Sequence, residues 1–183
     1  MIIKLFAVLL IALQCNNVTF QSIRTTWTDN VYQWTITTDQ GTGTLKTVWY
    51  NNTSSWRYSL PGISGTIRQV WSDEDDLWTL QAQSATYKIS KIWSDSDYQW
   101  RISGNDLNLT LRTIWSGKDA WKSWRLEYND QSMTIRTMWN DKYAYTEWQI
   151  DDNIDGLDPN AKMAAVFVAI YVSLKHNCFN QKH

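Results

Sequence analysis

The stretch DPNAKMAAVFVAIYVSLKHN, from Asp158 to Asn177, decides the fold of this 183-residue chain. Asp followed by Pro is a typical helix start, because Asp caps free amide groups and Pro fits the first turn. From Met163 to Leu174 nearly every residue is apolar, so the helix has no polar stripe. Such a helix must be enclosed on every side or lie in a membrane. Twelve apolar residues are too few to cross a bilayer. We therefore expect a central helix over residues 159–176 that the rest of the chain encloses.

The preceding residues, 22–150, contain six copies of one motif. A tryptophan recurs every 22 residues from Trp27 to Trp115 and once more, after 24 residues, at Trp139. A second tryptophan follows each of them after 7 or 9 residues. The segment before the first tryptophan alternates and is rich in β-branched residues, and Asp, Asn or Gly two residues after it favours a turn. The six pairs predict six β-hairpins: Trp27/Trp34, Trp49/Trp56, Trp71/Trp78, Trp93/Trp100, Trp115/Trp124 and Trp139/Trp148.

Alternation along each strand assigns its two faces. Aliphatic residues share one face with both tryptophans of a hairpin, and most basic residues lie on the other. Burying five or six basic groups would cost several kcal/mol each, so we expect the tryptophans to point inward and the basic residues outward. Lys91 breaks this pattern, because it falls in the inward column. All twelve indoles are expected at one end of the sheet, since hairpins in an up-and-down sheet repeat their direction.

A closed barrel reconciles the helix with the hairpins. Twelve strands enclose a space too wide for their own side chains to fill, and a helix of about four turns fills it. The expected fold is mainly β: a closed antiparallel up-and-down barrel of about twelve strands around one apolar C-terminal α-helix. We expect a single domain over residues 20–183, with a linker at residues 151–158 between the hairpins and the helix.

Six hairpins followed by an apolar helix resemble the tubby C-terminal, phospholipid scramblase and LURP-one superfamily. The most specific element is DGLDPNAKMAAVFVAIYVSLKH, from Asp155 to His176. The resemblance implies a twelve-stranded barrel around a C-terminal helix. It implies function only broadly, since members are linked to phosphoinositide binding, lipid scrambling and defence signalling. No functional residue carries over, because no position matches a lipid-contact motif.

The N-terminus, MIIKLFAVLLIALQCNNVTF, is typical of a secretory signal, with Lys4 before an apolar run from Leu5 to Leu13. We expect residues 1–15 to be a signal peptide and the protein to be secreted or periplasmic. The apolar run is too short to span a bilayer, so no transmembrane segment is expected in the mature chain. A eukaryotic secretory pathway would offer glycosylation at four Asn-x-Ser/Thr sites, namely Asn17, Asn51, Asn52 and Asn108.

Composition and motifs argue against several functions. A net charge of −1 disfavours a broad nucleic-acid surface, and 2 cysteines exclude a disulfide-dense scaffold. The 2 histidines, His176 and His183, stand outside any catalytic motif, and phosphate-loop, HExxH and GxSxG motifs are missing. We therefore expect a non-enzymatic protein with no cofactor and no metal. Acidic residues at 73–76 and at Asp95 and Asp97 are compatible with Ca²⁺ ligation, but turns also favour them.

These observations predict an exported binding or structural module whose target is a membrane lipid or a surface component. The alternative is a tryptophan-repeat carbohydrate-binding protein, that is, a lectin. The tryptophans form either a packed aromatic core or an open surface that stacks on sugars or inserts at a lipid interface. The outward basic residues form a solvated face or an anion-binding surface. The candidate ligand-binding residues are Trp34, Trp56, Trp78, Trp100, Arg57, Arg101 and Arg125.

Overall fold

A computed structural model describes residues 17–27, 30–72, 74–139 and 144–179. The predicted signal peptide, residues 1–15, lies outside this range. Twelve antiparallel strands close into one barrel, in which sequence neighbours are sheet neighbours and the last strand pairs with the first. The predicted fold class is therefore confirmed. The strands are β1 (Phe20–Trp27), β2 (Asn30–Thr38), β3 (Gly41–Trp49), β4 (Asn52–Leu60), β5 (Ile63–Trp71), β6 (Glu74–Ala82), β7 (Thr86–Trp93), β8 (Ser96–Gly104), β9 (Leu107–Thr113), β10 (Ser123–Tyr128), β11 (Gln131–Thr137) and β12 (Glu147–Asp152).

The two ends of the barrel differ. We call the end at which the odd-numbered strands finish the upper rim, and the opposite end the lower rim. Two lower-rim hairpins turn through Asn105-Asp106 and Asn129-Asp130, all four with φ between 47° and 61°. Positive φ at both central residues gives the turn that matches the twist of a hairpin, and Asn and Asp tolerate it best. Short 3-10 helices at Gly117–Lys122 and Ala144–Thr146 extend the last two upper-rim loops.

The helix α1 (Pro159–Leu174) fills the barrel. Every residue from Asn160 to Leu174 is buried, so the prediction of an enclosed helix is confirmed. Asp158 caps the helix, since its carboxylate accepts a hydrogen bond from the Asn160 amide at 2.8 Å. The α-helical part ends two residues before the predicted end, and the chain continues as one π-helical turn, Lys175–Phe179.

One lysine lies inside the apolar enclosure. Lys162 is buried, and its ammonium lies 2.9 Å from Asp152 Oδ2. The same ammonium donates to the Ile154 carbonyl at 2.6 Å and to the Val18 carbonyl at 3.3 Å. A buried ammonium is tolerated only when its charge and its donors are both matched. Lys162 thereby ties the start of the helix to β12 and to the segment before β1.

Two tyrosines at the lower rim reach the same helix end. Tyr58 donates to Asn160 Oδ1 and Tyr87 donates to Asp158 Oδ2, both at 2.6 Å. Burial raises the pKa of both phenols above its usual range; the charge of Asp158 adds to this for both, and for Tyr87 the hydrogen bond to Asp158 adds more than that charge, so both stay donors. The Tyr58 ring needs a glycine opposite, because a Cβ on Gly65 would lie 2.5 Å from its hydroxyl.

A Val168→Asp substitution tests the enclosure of the helix. Val168 is 1% exposed, so the new carboxylate would be buried without a partner and cooperative folding should be lost. Thr110→Asp puts the same group on the exposed face of β9 and should leave the melting temperature within a few degrees of the parent. Circular dichroism melts of both variants check this, and a cooperatively melting Val168→Asp protein would contradict the enclosure.

Candidate functional site

The second tryptophan of every hairpin belongs to the core. These residues, the inner Trp layer, are 0–1% exposed: Trp34, Trp56, Trp78, Trp100, Trp124 and Trp148. In each, the indole N–H donates to the carbonyl three residues earlier, at distances of 2.7 to 3.4 Å. A buried indole needs such a partner, and here the local chain supplies it in all six copies.

The inner Trp layer packs on the central helix. Phe167 meets the rings of Trp56 and Trp78 edge-to-face, with centroids 5.9 and 5.0 Å away. Tyr171 lies 4.7 Å from the Trp78 ring in the same orientation. The prediction of Trp34, Trp56, Trp78 and Trp100 as ligand-binding residues therefore needs correction, because the barrel wall closes these indoles off from solvent.

The first tryptophan of every hairpin is exposed instead. These residues, the outer Trp ring, lie along the upper rim with exposed fractions of 52% to 68%: Trp27, Trp49, Trp71, Trp93, Trp115 and Trp139. The prediction that both tryptophans face inward was wrong for this set. Between the pairs Thr25–Trp34 and Trp27–Asn30, β1 has one residue and β2 has three, so the alternation is interrupted. The same irregularity recurs in the next three hairpins, and Trp115 and Trp139 lie beyond the ends of their strands.

The outer indoles make few bonds to the protein. Among the described residues, Trp139 alone in this ring uses its indole N–H, which donates to Glu147 Oε2 at 2.9 Å. The other five have open faces and, within the same part of the chain, no partner for the N–H group. The outer Trp ring thus contributes little to folding, although it recurs in every copy of the motif.

A groove of about 660 Å³ runs beside Trp115 on the outer wall. Its lining joins the Trp115 indole to Arg136 of the next hairpin and to Asp119 and Lys122, which form an ion pair at 2.8 Å. The groove therefore offers one aromatic face together with several hydrogen-bonding groups. This combination can hold a small polar ring that has one apolar face.

The predicted outward face of the basic residues is confirmed: Arg57, Arg101 and Arg125 are exposed on the outer wall. Their surroundings differ around the barrel. Arg125 and Arg112 share Glu127, at 3.0 and 3.1 Å, and Arg136 pairs with Asp151 at 3.2 Å. From β3 to β8, by contrast, five basic residues have no carboxylate partner within the described residues. We call them the basic wall: Lys46, Arg57, Arg68, Lys88 and Arg101.

An ion-pair network closes the upper end of the barrel and accounts for the inward Lys91. The Lys91 ammonium lies 2.8 Å from Asp76 and 2.7 Å from Asp97, and Lys175 lies 2.5 Å from Asp75. These lysines occupy the space between the carboxylates that sequence alone left open to Ca²⁺. Among the described residues, no group of three or more His, Cys, Asp or Glu side chains is arranged to hold a metal ion.

Asp97 is the centre of this network. Burial alone would raise its pKa, but hydrogen bonds from His176 and Lys91 and the charges of Lys175 and Lys91 outweigh burial and hold the pKa well below its usual range. The His176 ring lies 2.7 Å from Asp97 and stacks on Trp121 at 3.9 Å. Ionised Asp97 therefore fixes the end of the central helix against the upper loops.

Comparisons with known protein families, with curated proteins and with solved structures find no match to this chain. Among the described helices, none is both long enough and apolar enough to span a membrane.

The two tryptophans of one hairpin should differ sharply in their effect on stability. We expect Trp78→Ala to cost about 4 kcal/mol, because it leaves a cavity beside Phe167. Trp71→Ala, in the same hairpin but 62% exposed, should cost less than about 1 kcal/mol. Urea unfolding of both variants gives the comparison, and equal losses would show that the outer indoles also serve the core.

The Asp97 network predicts a pH dependence. A carboxylate with a lowered pKa stabilises the fold above its unfolded pKa of about 4, and that contribution is lost as the pH falls further. Asp97→Asn should therefore cost about 2 kcal/mol near neutral pH, with a difference from the parent that shrinks on acidification below about pH 4. Asp95→Asn, exposed in the turn just before β8, is the control and should cost less than about 1 kcal/mol near neutral pH. A pH-independent Asp97→Asn difference in urea unfolding would contradict the role of this ion pair.

Proposed function

We propose that this protein is a multivalent carbohydrate-binding module, with the outer Trp ring as its sugar-stacking platforms. The observation that carries the proposal is one solvent-exposed tryptophan at the same place in all six hairpins. Exposed indoles that do not pack in the core leave apolar surface in water, and soluble proteins seldom expose aromatic clusters without a partner.

The chemistry of the ring suits sugars. One face of a pyranose ring is apolar and stacks on an indole, while its hydroxyl groups need hydrogen-bonding partners. The groove beside Trp115 supplies both, through the indole and through Asp119, Lys122 and Arg136. The indole N–H groups that have no partner among the described residues add donors. Location outside the cell, which the predicted signal peptide favours, would bring the ring to cell-surface glycans.

Six copies of the exposed tryptophan would allow tight overall binding even if each single site binds a sugar weakly. The outer tryptophans lie at the ends of strands that all point to one rim, so a branched or repeating glycan can contact several at once. Linked sites convert weak single contacts into avidity gains of about 10² to 10⁴ without new contacts. A repeat protein with one small platform per copy is suited to this kind of gain.

A membrane-lipid target, the other predicted function, is favoured by a different observation. The basic wall would attract anionic lipid, and exposed tryptophans suit the interface of a bilayer. The upper rim itself, however, bears exposed carboxylates at Glu74 and Asp95 and a half-buried one at Asp76. These would meet the anionic headgroups first. We therefore place lipid second, and we propose the tubby-like resemblance as a likeness of fold that does not determine the ligand.

A glycan array tests the proposal, with phosphatidylserine vesicles assayed in parallel. Trp49→Ala, Trp71→Ala and Trp93→Ala should each weaken glycan binding, and the triple variant should lose about tenfold or more, since avidity falls with each lost site. Gln83→Ala, at the opposite rim, is the control and should bind as the parent does. Vesicle binding without glycan binding would overturn the proposal in favour of the lipid function.

A further inference from the structure

We infer that the glycan is polyanionic, bearing carboxylate or sulfate groups, and that the basic wall below the outer Trp ring is its second contact surface. This inference rests on the proposed carbohydrate function and specifies the class of sugar. Three independent features of the wall support it: its charge, an unneutralised pair of cations, and its register with the indoles.

The charge of the wall is one-sided. Acidic residues on strands β3 to β8 occur only near the upper rim, at Glu74, Asp75, Asp76 and Asp97. Below them the outward positions of these strands carry no carboxylate, and the charged ones are the five cations of the basic wall. Since the whole chain has a net charge of −1, this positive face is a local concentration and does not reflect a basic composition. A one-sign surface of this kind favours a partner of the opposite sign.

One pair of cations on the wall lies side by side on neighbouring strands. Lys46 and Arg57 are directly opposite partners on β3 and β4. Like charges in this position are destabilising. The equivalent pair three hairpins later, Arg112 and Arg125, is also directly opposite, but Glu127 binds both.

The repeat shows what is missing at the first pair. Glu127 follows its inner tryptophan by three residues, and the residue at the same place in the second hairpin is Ser59, which is exposed. The second hairpin therefore holds an equivalent pair of cations that has no carboxylate partner among the described residues. An anionic group of a ligand would take the place that Glu127 takes in the fifth hairpin.

The indoles and the cations are also in register. Arg136, which shares the groove with Trp115, is paired with Ser123 of the preceding strand. The same register recurs between neighbouring hairpins at Gln33–Lys46 and Ser55–Arg68. By register, Lys46 and Arg68 therefore stand to Trp27 and Trp49 as Arg136 stands to Trp115. A sugar stacked on one of these indoles would have its acidic substituent close to a cation.

The extent of the wall favours a polymer over a small anion. The wall extends across six neighbouring strands, five of which carry one cation each, and at about 4.8 Å per strand it spans roughly 24 Å around the barrel. The cations are spread along this span and do not converge on one point. An extended chain with repeated acidic groups can meet several of them at once, whereas a single phosphate or sulfate ion cannot.

The test compares two double variants with equal loss of charge. Lys46→Gln/Arg57→Gln removes the open pair, and Arg112→Gln/Arg125→Gln removes the pair that Glu127 already neutralises. The probes are alginate, a polyuronate, and mannan, a neutral polysaccharide, measured by calorimetry at about 50 mM and about 500 mM salt. We expect alginate binding to weaken about tenfold in the first variant and less than about twofold in the second, with mannan unchanged in both.

A variant that adds a negative charge beside the open pair tests the inference independently. Ser59→Glu places a carboxylate where the fifth hairpin has Glu127, so it should reduce alginate binding as the loss of Lys46 and Arg57 does. High salt should abolish the preference of the parent for alginate over mannan, because it screens exposed charges. Thermal melts confirm that all three variants are folded.

The outcomes separate this inference from the proposed function. Mannan and alginate bound equally, with no effect of Lys46→Gln/Arg57→Gln or Ser59→Glu, would overturn the inference and leave the carbohydrate function standing. Failure to bind any glycan would overturn both. Equal losses in the two double variants, or phosphatidylserine vesicles bound as tightly as alginate, would show a non-selective attraction of charge and would also overturn it.

Discussion

The structure depends on the mutual burial of one apolar helix and the barrel around it. Neither part is stable alone: the helix has no polar face to show to water, and a twelve-stranded barrel has an interior that its own side chains cannot fill. Ion pairs hold both ends of the helix: Lys162 pairs with Asp152 at its start, and Lys175, in the turn that follows it, pairs with Asp75. The apolar middle supplies the burial, and the charged ends fix the position of the helix along the barrel.

The inner and outer tryptophans differ in what their indole N–H groups bind. A buried indole must donate a hydrogen bond, and the irregular segment before each inner tryptophan presents a carbonyl for that purpose. In the first four hairpins a pairing irregularity accompanies the outward position of the first tryptophan, and in the last two that tryptophan lies beyond the end of its strand. Every copy thus has one core aromatic and one surface aromatic. The proposed carbohydrate function is a consequence of this division, because the outer indoles keep open faces and, in five of six cases, unused donors among the described residues.

The repeat and the apolar run made the barrel, the strand order and the enclosed helix predictable from sequence. Both signals are periodic or long, so a single irregular position does not erase them. The face of the first tryptophan was not predictable, because strict alternation assumes an unbroken strand and the irregularity before Trp34 has no mark in residue type. The choice of Trp34, Trp56, Trp78 and Trp100 as ligand-binding residues depended on that face and was wrong for the same reason. The outward position of Arg57 and Arg101 was predictable, since the cost of burying a charge places them on the outer face. Only the structure shows that Glu127 neutralises Arg125.

Hydrogen exchange of the helix amides tests the central claim most directly. A helix enclosed on all sides can exchange its amides only when the barrel opens, so residues from Met163 to Leu174 should share the free energy of exchange of the central barrel strands and equal the global unfolding free energy. Exchange of this segment at a clearly lower free energy, through opening that leaves the strands protected, would contradict the enclosure on which the whole account depends.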